Sequence, residues 1–88
     1  MTDADLVAGV RNGDAAAWET LVSQYQTSIF RLAYLIVGDA STAEDVAQET
    51  FLRAARSLDR FDASRPLRPW LLQIATRLAY NQRRSAGR

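Results

Sequence analysis

At 88 residues the chain forms one small domain with a single core, and its 48% of apolar residues is enough to fill one. It holds neither cysteine nor histidine, which excludes disulfides, thiol and imidazole nucleophiles and the metal sites built from them, and leaves carboxylates as the only catalytic groups. The net charge of +1 conceals a division: residues 1–50 carry eight acids against two arginines, a balance of −6, and residues 51–88 two acids against nine arginines, a balance of +7. Such a chain is expected to meet different partners with its acidic and basic halves, and nucleic acid is the first candidate for the basic one. With no run of eighteen apolar residues and no basic or apolar segment in the opening MTDADL, it reads as soluble and cytoplasmic, without membrane insertion.

A short first helix is expected over Asp3 to Asn12, with Asp3 as its cap, Leu6 and Val10 at helical spacing and Gly13 as a left-handed stop. Asp14 opens a second helix whose stripe runs through Trp18, Leu21, Val22, Tyr25, Ile29, Leu32, Ala33 and Ile36 to Gly38. From Ile29 to Val37 only Arg31 is charged, so this end is expected to be the most enclosed part of the domain. A third helix, Ser41 to Leu58, begins with a capping box between Ser41 and Glu44 and places Ala43, Ala47, Phe51, Ala54, Ala55 and Leu58 on a core-facing stripe. Its opposite face carries Asp45, Glu49, Leu52, Arg53 and Arg56, with Gln48 at the border.

The segment from Asp59 to Pro69 breaks periodicity with two prolines, two aspartates and a serine, and reads as a loop. A last helix follows over about Leu67 to Arg84, with Leu67, Leu71, Ile74, Ala75 and Leu78 buried and Trp70, Gln73, Arg77, Tyr80, Asn81 and Arg84 on a neighbouring side. The fold class is therefore all-α, a bundle of four helices over residues 1–84, with residues 85–88 as a tail or linker. Arginine for phosphates and aromatic rings and asparagine for exposed bases make the last helix a surface that could follow a strand. The same residues read equally well as a solvated arginine face with Trp70 at the core's edge. Glu49 and Arg53 form an ordinary i, i+4 pair, whereas an exposed Leu52 within a charged rim has the form of a binding anchor, though single exposed leucines are common.

The string from Ala43 to Ala54, AEDVAQETFLRA, followed by Arg60-Phe61 and by Arg68-Pro69-Trp70-Leu71-Leu72-Gln73-Ile74-Ala75, resembles the second conserved region of bacterial sigma factors of the extracytoplasmic-function type. The segment from Gly13 to Val22 is similar to the start of that region, and the likeness spans about Asp5 to Arg84. The resemblance implies a non-enzymatic promoter-specificity domain that docks on the clamp helices of the largest RNA polymerase subunit through Asp45, Gln48 and Glu49, with Leu52, Arg53 and Arg56 beside them. It also implies recognition and opening of the minus-ten element on the non-template strand. Arg60, Phe61, Asp62, Ser64, Arg65 and Arg68 would form the specificity segment, with Trp70, Arg77, Tyr80, Asn81, Arg83 and Arg84 as strand contacts.

The chain departs from the family pattern at Leu67, at Pro69 and at Thr76-Arg77, within the promoter-reading segment, so base preference does not carry over. The family's second, helix-turn-helix domain is not in this sequence, and an isolated domain unable to initiate transcription efficiently by itself is expected. Two other readings stand beside this one. One is a helical interaction domain that binds a regulator such as an anti-sigma factor without a direct DNA role. The other is a carboxylate enzyme in which Glu44, Asp45 and Glu49 approach a metal; no cofactor is expected.

Overall fold

The computed structural model describes residues 2–86 and contains four α-helices: α1 (Asp3–Arg11), α2 (Ala15–Val37), α3 (Ala40–Ser57) and α4 (Leu67–Ala86). A single 3₁₀ turn, Leu58–Arg60, follows α3, and no strand occurs among the described residues. The all-α expectation holds, and the helix ends show why. Asp14 caps α2 by accepting from the Ala16 and Ala17 amides, while Gly13 and Gly38 turn the chain at φ of 80° and 74°, conformations that a side chain would strain.

Two caps differ from expectation. Thr2, not Asp3, caps α1, in a reciprocal box with Asp5. Asp39, not Ser41, caps α3, accepting from the Thr42 amide at 2.8 Å and the Thr42 hydroxyl at 2.7 Å; these bonds hold its carboxyl below the usual range. Asp39 displaces the Ser41 box because Gly38 has already turned the chain, leaving Asp39 extended and aimed at the first free amides. α4 continues to Ala86, two residues past the expected end of the helix, and residues 87 and 88 lie outside the described residues.

The main core joins Leu6 and Val7 of α1, Leu21, Tyr25 and Ile29 of α2, Phe51, Ala54 and Leu58, then Phe61, Leu67, Leu71 and Ala75. A second cluster of small residues, Ala33, Ala43, Val46 and Ala79, lets α2, α3 and α4 approach closely at the other end. α3 lies between two helices, so its buried stripe is wider than expected: Val46 and Thr50 are buried, Thr50 bonding to the Val46 carbonyl, and Ala55 is exposed. The expected enclosure of Ile29 to Val37 is overturned. Ile29 and Ala33 are buried, but Tyr34 is 46% and Leu35 82% exposed, because α1 packs only along the first half of α2 and leaves this side of the second half uncovered.

Candidate functional site

Along the outer side of α3, Asp45, Gln48, Leu52, Arg53 and Arg56 are exposed and Glu49 is half-buried. Between α2 and α3 runs an open groove of about 860 Å³. Trp18, Phe51 and Leu52 form its apolar bed, with Trp18 and Phe51 edge to face at 6.3 Å, and Glu44 and Gln48 stand on its α3 rim. Gln48 and Leu52 thus face a depression whose other wall comes from α2. That wall includes Gln26, Phe30 and Arg31, which sequence reasoning did not single out because their face of α2 carries a mixed pattern instead of a clean stripe. Arg53 separates from this set. It pairs with Glu49 at 3.4 Å and lines a smaller cleft of about 300 Å³ with Trp70, Gln73 and Arg77, on the side of α3 that meets α4.

A third depression, about 540 Å³, lies between the segment 60–66 and the first turns of α4. Arg60, Asp62, Arg65 and Pro66 form one wall and Trp70 and Gln73 the other. Phe61 sits beneath, buried, its ring 4.7 Å from that of Trp70. Phe61, expected in the specificity segment, is a core residue that forms the cavity floor, its ring the apolar plug that closes the core under the loop. Trp70 is half-buried against the same core, as expected of a residue at the core's edge, and keeps one surface toward the cavity.

The loop has a built shape. Asp62 Oδ1 accepts from the Ser64 amide at 3.0 Å and the Ser64 hydroxyl at 2.6 Å, an Asx turn. The Asp62 carbonyl accepts from the Arg65 amide, and the carboxylate pairs loosely with Arg65 at 3.7 Å. The Ser64 bonds, with Arg65 adding its charge, hold the Asp62 carboxyl below its ordinary value. Asp62 and Ser64 thus serve each other first, and Arg60 and Arg65 are the exposed cations at the cavity mouth.

Further along α4, Arg77, Tyr80, Asn81, Arg83 and Arg84 are exposed, and Arg84 donates to Asn81 Oδ1 at 2.5 Å. Arg68, also exposed, lies in the first turn of α4. Nine residues before Arg77 it is about half a turn away around the helix, and its charge acts on the Tyr25 hydroxyl of α2. Among the described residues no three acidic side chains gather as a metal-ligand set, so Glu44, Asp45 and Glu49 do not form one.

The structure also brings two residues of α1 to this loop. The Arg11 guanidinium donates to the Leu58 carbonyl, from Nε at 3.2 Å and Nη2 at 2.8 Å, and to the Phe61 carbonyl. Asp3 accepts from the Leu67 amide at the start of α4 at 3.2 Å and from the Tyr25 hydroxyl at 2.6 Å. No local signal announces such bonds, which join residues 22 or more positions apart.

The family model for Sigma-70 region 2 matches residues 21–88. The ECF RNA polymerase sigma factor SigW of Bacillus subtilis is 40% identical over 73 residues, covering 83% of this chain and 39% of that protein. The RNA polymerase sigma-H factor of Pseudomonas aeruginosa is 41% identical over 86 residues, covering 98% of this chain and 45% of that one. The chain thus spans less than half the length of these curated relatives. Among solved structures, an engineered region 2 of sigmaE, determined by NMR in complex with GTAAAA, superposes with a TM-score of 0.90 at 39% identity, covering all of this chain and 92% of that one. With four helices in the same arrangement and a family match over most of its length, the chain belongs to the Sigma-70 region 2 family, in its extracytoplasmic-function branch.

Proposed function

We propose that this domain is the part of a sigma factor that docks on RNA polymerase and reads the minus-ten element of a promoter as single-stranded DNA. The observation that carries the reading is the cavity between the loop and α4, with a buried aromatic floor, a half-exposed tryptophan wall and Arg60 and Arg65 at its mouth. A base leaving the duplex loses stacking worth a few kcal/mol, and a pocket of this kind offsets the loss by stacking and hydrogen bonding. Asp62 and Ser64 fix the loop that forms the pocket, while Arg77, Tyr80, Asn81, Arg83 and Arg84 carry the neighbouring phosphates and bases along α4. Arg53 belongs with this face through its cleft with Arg77. The engineered sigmaE region 2 bound to GTAAAA supports the assignment by likeness.

The clamp helices of polymerase are taken by Asp45, Gln48 and Glu49, with Leu52 as the apolar anchor, Arg56 on the same side and the α2/α3 groove beside them. The two faces adjoin at the Glu49–Arg53 pair but open on different sides of α3, so polymerase and promoter can be held together. On this reading the protein acts in the cytoplasm and is not an enzyme. The regulator-binding reading keeps one observation of its own: Tyr34 and Leu35 expose apolar surface at the end of α2 beyond the groove, where an anti-sigma factor could lie across the docking face.

Binding of single-stranded GTAAAA across a salt series tests the strand assignment. Replacing Arg77 and Arg84 by alanine removes two phosphate neutralisations and is expected to flatten the slope of log K against log salt by about 1.4. An unchanged slope assigns both arginines to solvated surface.

A further inference from the structure

The loop that walls the cavity is held at both ends by one short helix. Where the loop begins, Arg11 bonds the carbonyls of Leu58 and Phe61; where it ends, Asp3 bonds the Leu67 amide. The two residues are eight positions apart on α1, about 12 Å of helix, which makes α1 a strut across the ends of the loop. α1 itself has little freedom. Leu6 and Val7 are fully buried, Asp3 is tied to the Tyr25 hydroxyl, and Gly9 lies so close to α2 that a Cβ there would stand 2.7 Å from the Ala17 Cβ.

Arg60, Phe61, Asp62, Arg65 and Pro66 all belong to the strutted segment, and the opposing Trp70 and Gln73 belong to α4. The distance between these walls is therefore set from α1, although neither Arg11 nor Asp3 lines the cavity. α1 also precedes residue 21, where the family match begins. We infer that Arg11 and Asp3 are positioning residues for base selection: α1 fixes the loop ends so that the cavity holds one base in preference to others. The inference rests on the reading of the cavity as the base pocket.

The test uses fluorescence anisotropy with single-stranded GTAAAA, each of its single-base variants and a hexamer of thymidine as the unspecific strand. Wild type is compared with Arg11→Ala, Arg11→Lys and Asp3→Ala after cooperative thermal melting has shown each to be folded. Wild type is expected to separate the strands by about tenfold or more at its most selective position. In Arg11→Ala and Asp3→Ala that ratio is expected to fall toward one, with thymidine-hexamer affinity within about twofold of wild type, and Arg11→Lys recovers part of it because it keeps a cationic donor. Faster amide exchange confined to residues 61–67 accompanies the loss.

Undiminished selectivity in folded Arg11→Ala overturns the inference alone, as does a loss of affinity equal on every strand, which marks a merely structural role. A wild type that binds all strands equally overturns the base-pocket reading, and this inference with it. Should Arg11→Ala not melt cooperatively, Arg11→Gln, which keeps the aliphatic stem and an amide donor, carries the same comparison.

Discussion

Tyr25 shows how one side chain serves both core and loop. Burial, followed by its bond to Asp3 and the charge of that carboxylate, pushes the phenol from 10.0 up to about 12. The unfolded chain therefore loses this proton first. The stabilisation is complete below pH 10 and disappears as the pH rises toward 12. Urea midpoints are expected to fall across that window in wild type and to fall less in Tyr25→Phe, which at neutral pH costs about 1 kcal/mol for the lost bond. The chain has no lysine to titrate in the same range. Asp62 behaves in the opposite sense. Its carboxyl is depressed by the Ser64 bonds, so the turn is kept above the ordinary carboxylate range and loosens as acid takes the pH through the lowered value. The Ser64 amide resonance is expected to move in that acid range and to stay fixed at neutral pH.

Among the four α-helices, α1 is the shortest, yet its side chains bond α2, the loop and the start of α4. Gly9 abuts Ala17, and an added methyl would force the helices apart. Gly9→Ala normally gains about 1 kcal/mol of helix propensity, but overpacking against the Ala17 methyl costs about 1–3 kcal/mol, so the variant is expected to melt lower. An unchanged or higher Tm would show that α1 can slide. The helices were legible because their ends are written locally, in Asp14, Gly13 and Gly38, and because stripes of leucine, valine and alanine recur at helical spacing. The sequence pattern alone points to Ser41 as the cap of α3, because Asp39 and Ser41 compete within three residues and only the turn at Gly38 decides between them. Exposure of Leu35 was not legible either, since composition reports apolarity, not whether a neighbouring helix is long enough to cover it. The Arg11 bonds to the loop had no signal at all, because a cation that serves distant carbonyls looks like any surface arginine.

At the scale of the whole molecule, the division of charge along the chain becomes a division between surfaces. The acids Glu44, Asp45 and Glu49 lie on α3 beside an apolar groove, while Arg60 and Arg65 of the loop stand at the cavity and Arg77, Arg83 and Arg84 are exposed further along α4. The motif residues on α3 were legible as a polar face. Assigning them a partner needed the family resemblance, and the α2 wall of the groove appeared only in three dimensions. The central claim is that the α3 face is a polymerase-docking surface distinct from the loop and α4. Titration of the domain with a clamp-helix fragment of bacterial RNA polymerase, wild type against Glu49→Lys, tests it most directly. The account predicts saturable binding by wild type and at least a tenfold loss in the charge-reversed variant, about 1.4 kcal/mol or more. Equal binding by both, or none by folded wild type, would contradict it.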